Sequence, residues 1–166
     1  MIASWLLVLA PQTALETAVQ RTNAGDFRSA WSAASSAVDP LERAQAKVFV
    51  RQHAGDLAGA LDEAQLGTRA ALEDPWLAER TLAIAVSLSR AKAAANALSQ
   101  LDALLLDPNV PNRGAYLEAA SRVRSRVDAL STGARARDTA ESRARFVVLG
   151  FSVTALCALV FLARKA

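Results

Sequence analysis

The amino-acid sequence predicts an all-α protein, from its composition and from a repeated alternation of helix-ending and helix-starting residues. Of 166 residues, 38 are alanine and 52% are apolar, whereas only seven are glycine and five proline. Alanine favours helix because it loses no side-chain entropy there, and so few glycines and prolines disfavour a β-sandwich or a linker protein. One cysteine excludes an internal disulfide framework, and one cysteine with one histidine cannot form a usual zinc site. We expect a helical protein with no metal and no cofactor.

Residues 1–12 form an apolar N-terminal segment whose role the sequence leaves open. Residues 2–10 read IASWLLVLA, and Pro11 follows. This pattern is typical of a secretory signal peptide, but no lysine or arginine precedes it and no clean cleavage site follows it. The alternative is an uncleaved segment that docks on the first helices or lies in the membrane surface. The run is too short to span a bilayer.

A repeat occupies the middle of the chain. Residues 24–31 (AGDFRSAW) return thirty positions later as AGDLAGAL at residues 54–61. The glycine can end one helix in the left-handed conformation, and the aspartate can cap the next. Asp-Pro pairs recur at 39–40, 74–75 and 107–108. In the first two pairs we expect the aspartate to cap a helix that begins at the proline, with Glu42 completing a capping box with Asp39.

Helix ends and starts about 34 residues apart resemble the tetratricopeptide repeat (TPR). The resemblance covers roughly residues 13–130 and implies a solenoid of antiparallel helix hairpins, with about three units at 13–39, 40–74 and 75–107. A capping helix from about Ala115 to Leu130 would close the stack. Ala91-Lys92 replaces Gly-Asp in the third unit, so residues 76–106 form either two helices or one long helix bent near Ser87–Arg90. A generic alanine-rich helical bundle is the alternative fold.

The resemblance also implies a concave binding surface, lined by the first helix of each pair. In the first two units the predicted partner-binding residues are Glu16, Val19, Asn23, Gln45, Phe49, Gln52 and His53. In the third unit the corresponding positions are Thr81, Leu82, Ala85 and Leu88. This neutral, partly apolar lining favours a protein partner that offers a short apolar peptide or an amphipathic helix. The alternative is that these residues only pack against neighbouring helices.

Residues 146–163 (FVVLGFSVTALCALVFLA) are predicted to form one transmembrane helix. They contain no charge and no proline, and a helix of this length spans roughly 27 Å, close to the hydrocarbon thickness of a bilayer. The cations that flank it are Arg143, Arg145, Arg164 and Lys165. Three small residues share one face of this helix: Gly150, Thr154 and Ala158. Their spacing would allow two such helices to associate, and the alternative is a chance match in an alanine-rich segment.

These features divide the chain into five parts: the apolar segment 1–12, a TPR-like domain 13–131, an arginine-rich juxtamembrane stalk 132–145, the transmembrane helix 146–163 and a basic tail 164–166. Gly133 and residues 134–144 are expected to let the domain pivot. The arginines between residues 113 and 145 have only Tyr116 as an aromatic neighbour, which favours contact with anionic lipid over nucleic acid.

The side of the membrane on which the domain lies stays open. The signal-like start favours an extracytoplasmic domain, whereas four arginines before the anchor against two cations after it favour the cytoplasmic alternative.

No arrangement of residues predicts an enzyme, since the chain lacks a phosphate loop, a nucleophile elbow and a zinc-protease motif. The sequence instead predicts a membrane-anchored scaffold or adaptor that binds a protein partner through its helical domain. The alternatives are an accessory structural subunit of a larger integral membrane complex and a tail-anchored membrane-remodelling adaptor.

Overall fold

A computed structural model describes residues 13–70 and 73–163, with side chains to residue 142. Over these residues the chain forms seven helices and no strand. The helices are α1 (Ala14–Asn23), α2 (Phe27–Ser36), α3 (Pro40–His53), α4 (Leu57–Ala70), α5 (Pro75–Ser87), α6 (Ala91–Leu104) and α7 (Arg113–Ala163). The predicted all-α class is confirmed.

The helices pack as three successive hairpins followed by α7. Helix α1 packs against α2, α3 against α4, and α5 against α6. Between hairpins, α3 contacts both α1 and α2, α5 contacts α4, and α7 contacts both α5 and α6. Residues 76–106 therefore belong to two helices rather than one.

The three hairpins turn through the same backbone motif. In the first, the Gly25 amide donates to the Thr22 carbonyl (2.9 Å) and the Asp26 amide to the Arg21 carbonyl (2.9 Å), the hydrogen-bond pattern of a Schellman helix end. Gly55 and Asp56 repeat it thirty residues later. Both glycines have the positive φ that this turn requires, 77° and 80°.

The third turn uses Ser89 and Arg90, so its predicted position at Ala91-Lys92 was wrong by two residues. Ser89 has a φ of 55°, its amide donates to the Val86 carbonyl (3.1 Å), and the Arg90 amide donates to the Ala85 carbonyl (2.8 Å). A serine thus adopts the left-handed conformation that glycine adopts in the other two turns. The sequence prediction missed it because that conformation is uncommon without glycine.

The helix starts follow the predicted caps with one exception. Asp39 accepts from the amides of Leu41 and Glu42, and Asp74 accepts from the Trp76 amide (3.1 Å). Glu42, however, does not close a capping box with Asp39, because its carboxylate accepts from the Leu15 amide (2.8 Å) at the start of α1. This contact across 27 residues links the first two hairpins.

Buried side chains form two cores on opposite sides of α3. The smaller core is almost entirely alanine and consists of Ala18, Ala30, Ala34, Ala46 and Val50. Three half-buried residues lie at its edge: Leu15, Trp31 and Ala33. The larger core joins α3 to α7 and contains the largest fully buried side chains: Val48, Leu77, Leu82, Ile84 and Leu101. The buried residues of α3 face two sides: Ala46 and Val50 belong to the smaller core, and Ala44 and Val48 belong to the larger core.

Helix α7 begins by covering the third hairpin, as the predicted capping helix would. Ala120 and Val127 are buried, and Tyr116 and Val123 are half-buried against the larger core. The helix does not end near Leu130 or at Gly133, where a pivoting stalk was expected, but continues to Ala163.

Among the residues described with their side chains, no helix is long and apolar enough to cross a membrane. The predicted segment 1–12 and basic tail 164–166 lie outside the described residues. The side chains of the predicted span 146–163, of its flanking Arg143 and Arg145, and of the small-residue face lie outside the described side chains as well.

Candidate functional site: the groove between α4 and α6

Stacked hairpins leave two equivalent intervals between successive second helices. We call the surface between α2 and α4, above α3, the first interval, and the surface between α4 and α6, above α5, the second interval. Positions correspond between hairpins by their turns: Gly25, Gly55 and Ser89 are equivalent. The two intervals differ in what fills them.

An aromatic and ionic network fills the first interval. The Trp31 ring of α2 lies beneath two cations of α3, with the Lys47 ammonium 5.1 Å and the Arg51 guanidinium 4.7 Å from the ring centroid. Both cations pair with Glu63 of α4, at 3.8 Å and 3.6 Å, and Arg51 also pairs with Asp56 at 2.6 Å. These side chains bridge α2, α3 and α4 and occupy the first interval.

Gly59 makes room for this network. A Cβ atom at this position would collide with the Arg51 guanidinium and with the Asp56 carboxylate. Asp56 also accepts from the Gly59 amide (2.9 Å), and this hydrogen bond, followed by the one from Arg51, holds the pKa of Asp56 below its ordinary value. The carboxylate is therefore charged at neutral pH and both caps α4 and pairs with Arg51.

Smaller residues occupy four of the five corresponding positions of the second interval. Lys47, Arg51 and Glu63 correspond to Thr81, Ala85 and Ala97. Trp31 corresponds to Leu61 of α4, and Asp56 to Arg90. An open groove lies between α4 and α6 at this place.

This groove has a volume of about 1160 Å³. Its α4 wall runs from Ala58 to Arg69, a distance of roughly 16 Å along the helix. The α5–α6 turn closes one end, α6 forms the opposite wall as far as Leu104, and Ala134 of α7 also lines it. The space is long enough for about three turns of a bound helix.

The groove floor is apolar, and its polar atoms are already paired. Leu61 and Ala97 are almost fully buried within it. The hydroxyls of Thr68 and Thr81 donate to the carbonyls of Ala64 (2.6 Å) and Leu77 (2.7 Å), one turn back in their own helices. The floor therefore offers contact area rather than hydrogen bonds to an occupant.

The groove rim is predominantly cationic. Arg69, Arg90 and Lys92 are exposed on it, whereas Asp62 is its one exposed acid. None of these four side chains has an ion-pair partner over the residues described. Charged side chains without partners can pair with an incoming group, and their sign favours an acidic one.

The start of α6 adds to the positive potential at one end. Asp26 and Asp56 accept hydrogen bonds from the amides of Ser29 and Gly59 at the starts of α2 and α4. The equivalent Arg90 makes no side-chain cap for α6. The positive end of the α6 dipole therefore lies at the α5–α6 turn without a capping carboxylate.

The predicted partner-binding residues lie on α1 and α3, away from this groove. Two have structural contacts: Glu16 closes a capping box with Thr13 in its own helix, and the Gln45 amide donates to Asp74 (2.8 Å) at the start of α5, 29 residues away. Phe49 and His53 stack with ring centroids 3.9 Å apart. Asn23 is exposed at the end of α1, and Gln52 is half-buried.

The predicted surface of the third unit is largely buried, although Thr81 and Leu88 also line the groove between α4 and α6. Thr81, Leu82 and Ala85 are buried, and only Leu88 is half-exposed. They were expected to line a concave surface, but α5 lies between α4, α6 and α7 and is covered on those sides. Sequence analysis missed the groove because it becomes visible only when the second and third units are aligned. Large, charged residues of the second unit are then seen to be replaced by small ones at the same positions of the third.

No family model matches the chain, and no match is found among curated proteins or among solved structures. Over the described residues, no group of three or more histidine, cysteine, aspartate or glutamate side chains is placed to hold a metal ion.

Proposed function

We propose that this protein is a membrane-anchored adaptor whose helical domain holds a protein partner in the groove between α4 and α6. The observation that carries the proposal is the open second interval, a groove of about 1160 Å³ with an apolar floor and a charged rim. Its volume exceeds the roughly 300–1,000 Å³ usual for small-molecule sites. An elongated trough between two helices favours an amphipathic helix laid along it.

The membrane part of the proposal rests on the sequence. Residues 146–163 carry no charge over 18 positions and are flanked on both sides by arginine or lysine. The TPR-like arrangement of three hairpins is also part of the proposal and rests on the repeated Schellman turns and on the spacing of the Asp-Pro pairs. Together they describe a binding domain held at a bilayer.

Site-specific photo-crosslinking in native membranes tests the groove. A photoreactive amino acid replaces Asn96, which lines the groove, or Ser99, which is exposed on the same helix outside it. We expect one discrete adduct from position 96 and none from position 99. The same adducts from both positions, or none from position 96, would contradict groove binding.

A blocking variant makes the test specific. Asn96→Trp places a large ring in the groove from an exposed position, and Ser99→Trp adds the same ring outside it. We expect a crosslinker at Gln65, on the opposite wall, to lose its adduct in Asn96→Trp and to keep it in Ser99→Trp. An adduct that persists in both variants would show that the partner binds elsewhere.

Alkaline extraction tests the anchor independently. The wild-type chain should stay with the membrane pellet, and the double variant Val153→Arg/Leu156→Arg should be released, since arginine near the bilayer centre costs about 2.5–3.5 kcal/mol on insertion scales. Release of the wild-type chain would remove the anchor from the proposal and leave the groove unaffected.

A further inference from the structure

We infer that the occupant of the groove is an acidic amphipathic helix of a partner protein, with an apolar stripe on the floor and carboxylates at both ends. The inference rests on the proposed function, because it specifies the chemistry of the partner in the same groove. Three cations, Arg69, Arg90 and Lys92, face one acid on the rim.

In the first interval, acids of the same chain neutralise the cations. There the cations Lys47 and Arg51 are paired with Glu63 and Asp56 of the same chain. In the second interval, the positions of these two acids hold Ala97 and Arg90. The cations of the second interval, Arg69, Arg90 and Lys92, stand at other positions than Lys47 and Arg51, and over the described residues no acid of the chain pairs with them.

The positions of the cations indicate where the carboxylates of the partner would lie. Arg90 and Lys92 are at the α5–α6 turn, together with the uncapped start of α6. Arg69 is at the opposite end, because α4 runs antiparallel to α5 and Thr68 meets Thr81 there. Acidic residues about three helical turns apart, with apolar residues between them, match this arrangement.

Two occupants from this chain fit less well. The N-terminal run at residues 2–10 is apolar but carries no charge, so it would leave the rim cations without partners. A second copy of the chain offers Asp138 and Glu141, but arginines at 135 and 137 precede them and no apolar stripe lies between them. A separate acidic segment satisfies both the floor and the rim.

Binding of designed peptides to the full chain in detergent micelles tests the inference. The probe is a fluorescent helical peptide of about 18 residues, with leucines on one face and, on either side of them, glutamates about three helical turns apart. The matched peptide has glutamine in place of each glutamate. We expect the glutamate peptide to bind about tenfold more tightly at low salt, the effect of several exposed ion pairs, and the difference to shrink as salt rises from about 50 to about 500 mM.

Charge reversal identifies the residues responsible. Arg90→Glu/Lys92→Glu should remove the preference for the glutamate peptide. The matched control is Arg28→Glu, because Arg28 stands in α2 at the position that Lys92 holds in α6 and lies outside the groove. The control should keep the preference. An equal loss in both variants would overturn a local role for the rim cations.

The outcomes separate the inference from the function on which it rests. If both peptides bind equally and Asn96→Trp blocks both, the groove binds partners but the acidic partner is wrong. If Asn96→Trp leaves the binding of both peptides unchanged, groove binding itself fails.

Two further measurements test occupants from the chain itself. A tenfold gain in peptide affinity on deletion of residues 2–10 would identify that run as the occupant and overturn a separate partner. A change in oligomeric state on Asn96→Trp without peptide would identify a second copy and have the same consequence.

Discussion

The two intervals between the second helices have the same backbone arrangement but differ in the core beneath them and in whether side chains fill them. Beneath the first lies a core of alanines, which buries little apolar area, and the interval above it is filled by Trp31 and its cations. Beneath the second lies a core with Leu77, Leu82 and Leu101 fully buried, and the interval above it is open. Because apolar burial stabilises by about 25 cal/mol per Å², the larger core can maintain the fold without a filled interval. The comparison predicts that the third hairpin does not need side chains across its interval for stability, because its core is larger.

The largest expected effect comes from weakening the core beneath the open groove. Leu101 is fully buried, and Leu101→Ala should lower the free energy of unfolding by about 2–5 kcal/mol through lost transfer energy and a residual cavity. Chemical denaturation measures it. Leu106→Ala is the control, since Leu106 is 81% exposed and should change stability by less than about 0.5 kcal/mol. A similar small change at Leu101 would show that the open interval is supported in some other way.

Trp31→Ala should have the next largest effect and should act on the other end of the molecule. Trp31 is half-buried and covers the alanine core, so we expect a loss of about 2 kcal/mol, below the 3–5 kcal/mol of a fully buried tryptophan. The variant should accelerate hydrogen exchange more in α1 and α2 than in α5 and α6. The exposed Ser32→Ala is the control. Uniform acceleration along the chain would contradict the division into two cores.

Much of this fold could be predicted from the sequence, because its signals are local. Asp39-Pro40, Asp74-Pro75 and the two Gly-Asp turns mark helix boundaries through backbone requirements that single residues reveal. The third turn was misplaced because Ser89 adopts a positive φ without being glycine. Glu42 was misassigned because its partner, the Leu15 amide, lies 27 residues away, and no local pattern encodes such a contact.

The candidate site was the part least open to sequence prediction. The resemblance to TPR proteins places binding residues on the first helices, and Gln45 there donates to Asp74. The groove between α4 and α6 depends instead on the absence of side chains that fill the equivalent space elsewhere. Thr81, Ala85 and Ala97 have no distinctive chemistry of their own, and they gain significance only when aligned with Lys47, Arg51 and Glu63.

Restoring the missing cap should make the third hairpin more like the first two. Arg90→Asp puts a capping carboxylate where Asp26 and Asp56 stand, and it should raise the free energy of unfolding by about 0.5–1 kcal/mol. The same change should abolish the preference for an acidic peptide. Arg90→Ala removes the cation without adding a cap and should weaken peptide binding without the gain in stability. A gain in stability from Arg90→Ala as well would mean that the cap is not its source.

The smallest expected effect is a pH dependence confined to the two capped hairpins. Hydrogen bonds from Ser29 to Asp26, and from Gly59 and Arg51 to Asp56, lower the pKa of each carboxyl below its ordinary value. A group whose pKa is lowered in the folded state stabilises the fold above its unfolded pKa, and this contribution is lost as pH falls below about 4. Hydrogen exchange at the starts of α2 and α4, corrected for the intrinsic effect of pH, should therefore lose protection on acidification. The start of α6, where Arg90 replaces the aspartate, should lose none by this route. Asp56→Asn should remove the pH response of α4 alone, and equal acid sensitivity of all three helix starts would refute the assignment of this response to the capping aspartates.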